Sequence, residues 1–389
     1  MTSTLADLGQ IFDGPHATPK RQEDGPYFLN IASLSNGRLD LEQSDHVSEE
    51  DFVKWTRRIT PEDGDLLFSY ETRLGEAALM PSGVRSCLGR RMALIRPDRT
   101  RADPRFLLYF YLSPDFRQLI DRHTIHGATV NRIGLSTMGS WPVSVPELSE
   151  QRAIAEVLGA LDDKIGANSK RTETIDQYLA AVFGEIRARC EQQGFLRDVA
   201  DINGDSVKPV AGGTLRYIDI ASVGVGDYEY PDVIAWEEAP SRARRGVRKG
   251  DTIWSTVRPN RRSHALNLSA DPLLVASTGL AVLSPRKVGF AYLYEVTKHP
   301  AFTTYLESAA EGSAYPAVRA DRFGDALIPI FPRAEHDGFE ATAAPMRELA
   351  HSLDVENRTL SATRDALLPQ LMSGNIRVKN AEKTVGEVL

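Results

Sequence analysis

Cysteine is almost missing from this chain: Cys87 and Cys190 are the only two among 389 residues, and no CxxC occurs. That excludes a disulfide framework and a cysteine zinc site. Long apolar runs are missing too. Nothing approaches the ~18 residues a membrane span needs, and the opening MTSTLADLGQ has no basic or apolar signal region. A cytoplasmic location is expected. Catalytic signatures are equally scarce. The sequence has no GxxxxGK[ST] phosphate loop, no HExxH, no GxSxG and no (Asp/Asn/Ser)-Pro-Pro-(Tyr/Phe) methyltransferase tetrapeptide. His123 and His126 have only arginine, asparagine and threonine around them, and Glu71 and Glu76 lack a nuclease-type Glu-x-Lys partner. No catalytic residue and no metal site is expected. At 42% hydrophobic and 25% charged, the composition is that of a folded protein. The length implies two to four folded units at roughly 100–200 residues each.

The net charge of -7 argues weakly against nucleic-acid binding, but the type and placement of the cations argue the other way. Of 46 basic residues 36 are arginine, whose planar fork pairs with phosphate oxygens or with guanine O6 and N7. GC-rich coding is the competing explanation. Residues 85–105 hold seven arginines against two aspartates, and residues 242–262 hold seven arginines and one lysine against Asp251 alone. Residues 146–196 are acidic by contrast, with six basic and nine acidic side chains.

The chain repeats itself at an offset that drifts between 186 and 191. Leu5–Ile11 answers Leu196–Ile202, Leu29–Leu34 answers Ile218–Val223, and Arg57-Arg58 with Gly64–Ser69 answers Arg244-Arg245 with Gly250–Ser255. Ala93–Pro97 and Val143–Pro146 match Ala281–Pro285 and Pro329–Pro332. Five matches in one order indicate duplication. The first ~145 residues read as short strands (Leu29–Leu34, Asp65–Tyr70, Met92–Ile95) with a helical stretch near Phe106–Ile120. From Ser149, taken as an N-cap, apolar residues recur at spacings of four and three: Ile154, Leu158, Leu161, Ile165, Ile175, Leu179, Val182 and Ile186. Asn168 and Thr172 fill the remaining seam positions. Asn168 is either a buried register-fixing residue or a solvated edge. A helix over 149–190 would be roughly 60 Å long. The second half carries a comparable stripe, Met346, Leu349, Leu353, Leu360, Leu367 and Leu371, with Glu356 in the place of Asn168. Pro345 suits a first turn, and Pro369 with Gly374 suits an end. Two narrow stripes predict two long helices that pair antiparallel.

A duplicated module with a Gly-Asp strand motif, then a proline-bounded strand running into Glu150-Gln151…Ile154…Leu161-Asp162, resembles the specificity subunit of type I restriction-modification systems. Arg333-Ala334-Glu335-His336 replaces Glu-Gln in the second copy, which leaves the start of the second helix open. The resemblance implies an α+β fold: two target-recognition domains (1–147 and 195–333) separated by a central helix (148–194) and a distal helix (334–376), with a disordered tail expected over 377–389. It also implies that each domain reads half of a split, asymmetric double-stranded DNA site. The helices would set the spacing and dock two methyltransferase subunits, with or without restriction subunits. S-adenosylmethionine, ATP and magnesium would then belong to those partners, with no cofactor in this chain.

Candidate DNA contacts lie in loops beside the repeated strands. In the first half they are Arg57, Arg58, Ser69, Tyr70, Arg73, Arg85, Arg90 and Asn131. In the second they are Arg244, Arg245, Thr256, Arg258, Asn260, Arg261, Arg262, Ser313 and Tyr315. Candidate partner contacts are Gln151, Arg152, Glu156, Lys164 and Lys170 on the first long helix, against a plain solvated face as the alternative. A stand-alone nuclease or methyltransferase with an unfamiliar site, and a coiled-coil adaptor without a DNA role, are the competing functions.

Overall fold

The computed structural model describes residues 3–16, 18–127, 129–312 and 315–389. They form two compact units, one of residues 1–167 with 356–389, the other of residues 168–355. The helices are α1 (Glu49–Trp55), α2 (Pro104–Leu112), α3 (Pro114–His123), α4 (Leu135–Met138), α5 (Leu148–Arg189), α6 (Phe290–Lys298), α7 (Pro300–Ser308), α8 (Ala320–Phe323), α9 (Arg333–Met372) and α10 (Val378–Gly386).

Both units are built on the same strand pair. In the first, Leu66–Ser69 runs antiparallel to Met92–Pro97, with Ser69 opposite Met92. In the second, Thr252–Ser255 runs antiparallel to Leu280–Pro285, with Ser255 opposite Leu280. The first pair lies in a four-stranded sheet ordered 9–13, 92–97, 66–69, 77–79. The second lies in a five-stranded sheet ordered 200–202, 280–285, 252–255, 264–266, 225–226. A smaller sheet accompanies each, formed by 45–46, 22–29 and 86–88 in the first unit and by 233–235, 214–218, 274–277 and 243–246 in the second.

The repeated Gly-Asp motif is the turn that launches the central strand. Gly64 and Gly250 have φ of +82° and +92°, the left-handed region that favours glycine. The next residue is a buried aspartate whose Oδ2 accepts an N–H three positions back, from Glu62 at 2.8 Å and from Arg248 at 2.7 Å. The motif therefore has a structural role in both copies.

The stretch read as one helix near Phe106–Ile120 is two. Ser113 ends α2 and caps α3, its Oγ accepting from the Phe116 N–H at 3.3 Å, with Pro114 in the first turn. The second unit repeats the break at His299-Pro300 between α6 and α7. Both helices of each pair pack under the main sheet around Phe106, Tyr111 and Phe116 in one unit and Tyr292, Leu293 and Phe302 in the other.

The long helices start and stop slightly differently from expectation. α5 begins at Leu148, its first i→i−4 bond running from the Gln151 N–H to Glu147 O at 3.0 Å, so Ser149 lies inside the first turn. α9 begins at Arg333 and passes straight through Pro345, which is interior rather than N-terminal. Gly374, at φ +72°, follows its end. The buried apolar residues of α9 are Phe339, Ala343, Ala350, Leu353, Leu360, Leu367 and Leu371. Leu349 is 40% exposed and off the seam. Asn168 is 1% exposed, so it is a buried seam residue.

Within each unit the two helices run antiparallel. In the first, Asp162 pairs with Arg364 at 2.7 Å and Lys164 with Glu356 at 3.2 Å. In the second, Asp176 pairs with Arg347 at 2.8 Å, and Phe183 packs against Phe339. The helices are not bare spacers. Ile154, Leu158, Leu161 and Ile165 share the first unit's core with the α2–α3 layer and with Leu360, Leu367 and Leu371. Leu179, Phe183 and Ile186 share the second unit's core with Phe339 and Ala343. Ala155 and Val157 are buried beside the seam, so the apolar stripe is wider than a two-stranded coil requires. The tail expected to be disordered forms α10 instead, with Ala381 and Val385 buried in the first unit's core.

Candidate nucleic-acid interface

Each unit presents one loop of the same backbone design at the end of its central strand. Ser69 and Ser255 close the strand, with Oγ donating to the carbonyl two residues on, Glu71 at 2.8 Å and Val257 at 2.9 Å. Next comes a left-handed residue, Thr72 (φ +74°) or Arg258 (φ +51°). Its N–H donates across to the segment before the short helix α4 or α8, to Asn131 O at 3.2 Å or Pro316 O at 2.7 Å. A second left-handed residue, Gly75 (φ +87°) or Arg262 (φ +56°), returns the chain to the next strand. A non-glycine residue at positive φ costs on the order of 1–3 kcal/mol, and the second loop carries two of them, both arginine.

Beyond the shared serine, the side chains on this backbone differ. In the first unit the basic run 85–105 is neutralised from within. Arg85 pairs with Glu49 (2.8 Å), Arg91 with Glu71 (3.0 Å) and Arg96 with Asp65 (2.7 Å). Arg99 pairs with Asp63 (3.4 Å), Arg101 with Asp7 (3.3 Å) and Arg105 with Asp163 (2.5 Å). Arg90 is exposed and has no ion pair among the described residues. In the second unit Arg248 is held by Asp205 and Lys249 by Glu348. Among the described residues Arg242, Arg244, Arg245, Arg258, Arg261 and Arg262 have no carboxylate within 4.0 Å. An unneutralised arginine is what a phosphate or a guanine edge needs.

Several sequence-derived candidates are structural. Ser69 and Thr256 are buried; the Thr256 Oγ1 donates to Gly279 O at 2.9 Å. Tyr70 is buried, and desolvation with Asp13 nearby pushes its hydroxyl up to about 12, so it stays protonated. Arg73 is tied to Ile31 O (3.0 Å) and Glu76 (3.4 Å), and Arg85 forks onto Glu49. Gln151 is 1% exposed, donating to Arg101 O and Pro146 O and accepting from the Asp103 N–H, so it anchors α5 to its own unit and offers no partner surface. Ser313 lies outside the described residues.

The remaining candidates are exposed or half-buried. Arg57, Arg58, Arg90 and Asn131 are exposed in the first unit. Arg57 and Arg58 do not form a strand as Arg244 and Arg245 do; they follow α1 and line a cleft of about 250 Å³ with His16, Lys54 and Trp55. Lys54 and His16 were not singled out from the sequence, although Lys54-Trp55 beside Arg57-Arg58 is the basic–aromatic interleaving that marks nucleic-acid surfaces. In the second unit Arg244 donates to Ala243 O at 2.6 Å, and Arg245 is half-buried. Asn260 and Arg261 are exposed on the turn Pro259–Arg261, and Arg262 donates to Lys298 O at 3.0 Å. The Arg258 guanidinium lies 4.7 Å from the ring centre of Tyr315, which is 71% exposed. Arg242, just before the strand Ala243–Gly246, is exposed and has no ion pair among the described residues.

On α5, Arg152 and Glu156 are exposed, Lys164 pairs with Glu356, and Lys170 pairs with Glu173 at 2.8 Å.

The comparisons with known proteins converge on one family. A model described as the type I restriction modification DNA specificity domain matches residues 1–177. The StySPI specificity subunit of a type I restriction enzyme from Salmonella potsdam is 26% identical over 180 residues, covering 46% of this chain and 38% of that one. The MjaVIII specificity subunit from Methanocaldococcus jannaschii is 20% identical over 362 residues, covering 85% and 83%. The chain spans about two fifths of the length of the first curated relatives it matches. A solved type I restriction-modification S subunit from M. genitalium shares the fold across 96% of both chains, at 15% identity and a TM-score of 0.62. Residues 1–177 match the type I restriction-modification DNA specificity domain, and residues 195–331 repeat the same design.

Proposed function

We propose that this chain is the DNA-reading subunit of a type I restriction-modification assembly, in which each recognition domain reads one half of a bipartite, asymmetric double-stranded site. The observation that carries this reading is the face of unneutralised arginines on the second unit's loop, on a scaffold whose first copy has the same backbone but different side chains. Two equivalent loops with unlike chemistry read unlike half-sites. Arginine contacts to phosphate position the duplex, and side chains that reach base edges supply the sequence preference. The long helices set the unread spacing and carry the docking surface for methyltransferase subunits, through exposed residues such as Arg152 and Glu156. Catalysis, and with it S-adenosylmethionine, ATP and magnesium, belongs to those partners, and the same reader serves with or without a restriction subunit.

Mapping methylated positions in host DNA with and without the gene tests the proposal. Loss of one split, asymmetric motif is the expected result. An unchanged methylation pattern, together with DNA binding that does not weaken as salt rises, would refute it.

A further inference from the structure

We propose that Arg258, held by Tyr315, is the base-reading residue of the second unit and that its target is a guanine, while the other free arginines of that face bind phosphate. This rests on the DNA-reading function proposed above and assigns roles within the same cluster. Reading a base requires a donor fork fixed in place before the duplex arrives, because discrimination comes from geometry. A phosphate contact tolerates a mobile side chain.

Among the six unneutralised arginines only Arg258 meets every condition for reading. Its backbone is pinned in the left-handed region by the 2.7 Å bond to Pro316 O, and the Val257–Ala317 bridge holds the same edge. Its guanidinium is parked over an aromatic face, which restricts its rotamers without consuming its N–H donors. Arg242 and Arg261 are exposed without an ion pair, free to follow the phosphate backbone. Arg262 spends a donor on Lys298 O, Arg244 spends one on Ala243 O, and Arg245 sits half-buried in a strand.

Tyr315 supports the assignment independently. Among the described residues it is the most exposed of the large apolar side chains, and its ring lies against the Arg258 guanidinium. It acts as a positioning residue, through its ring and not its hydroxyl. Guanine follows from donor chemistry, since a guanidinium has only N–H groups to offer and guanine presents two acceptors, O6 and N7, in the major groove.

The test uses the full chain and duplexes carrying the motif found by methylation mapping, with each base pair replaced in turn. For the unaltered chain, one G·C pair in one half-site should lose roughly 5- to 150-fold in affinity on replacement. Substituting 7-deazaguanine at that position alone, which removes N7, should give a loss in the same direction. In Arg258→Ala, discrimination at that pair should vanish while discrimination elsewhere persists. Tyr315→Ala should blunt the same pair and Tyr315→Phe should not, which keeps the test readable if Arg258→Ala folds poorly. Arg261→Ala should weaken all sequences alike and lower the salt slope by about 1. A uniform loss across all pairs in Arg258→Ala, or insensitivity to 7-deazaguanine, overturns the assignment and leaves the DNA-reading function standing. Absence of any sequence preference in the unaltered chain sinks that function itself.

Discussion

Acidification should loosen the second unit through one buried histidine. His264 is 1% exposed, stacked on Trp254 with ring centres 4.7 Å apart. Its Nδ1 donates to Arg262 O at 2.6 Å, at the foot of the arginine loop. Its Nε2 is buried without a partner among the described residues, so nothing there welcomes a second proton. Burial lowers its pKa from 6.5 to about 4, Arg262 and Lys298 push the same way, and Asp176 and the Arg262 carbonyl oppose. The folded pKa lies below the unfolded one, so acid favours the unfolded chain. The stability from keeping His264 neutral is complete above about pH 6.5 and is lost as pH falls toward about 4. Across that window the loss approaches roughly 3 kcal/mol, at 1.36 kcal/mol per pKa unit. Urea titrations followed by tryptophan fluorescence at pH 7.5, 6.5, 5.5 and 4.5 measure it. Other groups titrate in the same range, so the comparison is with His264→Phe, which keeps an aromatic ring beside Trp254 and cannot take up a proton. The unaltered chain should lose more stability than the variant over this range. Equal losses in the two would show that the buried imidazole does not control the acid response.

Other substitutions separate structural charges from available ones. Arg347 is 6% exposed between Asp176 and Glu295, so Arg347→Ala should cost about 3–5 kcal/mol in denaturant titrations, and Arg347→Met with Glu295→Met should recover most of it. Unchanged stability in the single variant would refute that. Asp65 forks onto Arg96, whereas the equivalent Asp251 faces Ser284 and has its pKa raised by burial. Asp65→Asn should therefore lower the melting temperature, and Asp251→Asn should leave it unchanged or raise it at pH 7. Glu71 holds Arg91, so Glu71→Gln should release a cation beside Arg90 and steepen the salt dependence of DNA binding by about one phosphate contact. An unaltered slope would mean that this face does not meet the duplex.

The duplication, the central strands and both long helices were legible because each rests on local spacing, whereas the Gly-Asp motif, legible as part of a strand, is the turn that precedes it. Charge availability was not. Residues 85–105 look as basic as 242–262, yet Glu49, Asp63, Asp65, Glu71, Asp7 and Asp163, which neutralise the first run, lie outside it, up to 94 residues away in the case of Asp7 and Arg101. Gln151 misled for a related reason. Its place one turn into a charged helix reads as exposed, but it sits on the seam spacing, three residues before Ile154, and docks on the α2 entrance. Pro345 suits a start because proline favours first turns; with Phe339 and Ala343 buried on the preceding turns, packing outweighs the missing hydrogen bond. In the tail, Ala381 and Val385 are four apart, too short a pattern to stand out without the core they fill.

Where the two copies agree and where they part follows a physical rule. Positions that agree satisfy buried backbone: the positive-φ glycine, the aspartate that caps its turn, the serine that closes the strand, the left-handed residue bridged to the neighbouring segment. Each is fixed by a hydrogen bond that any sequence on this backbone must make. Positions that part point outward from that frame, where nothing internal constrains them. Arg258 stands where the first unit has Thr72. A loop whose shape is fixed by its own hydrogen bonds can change its outward side chains without refolding. Under the proposed function, preference for a new half-site then requires only new donors and acceptors on an old frame. The arginine at φ +51° is the cost of that arrangement in the second unit: the frame dictates a left-handed residue, and a long charged side chain is carried there despite the strain.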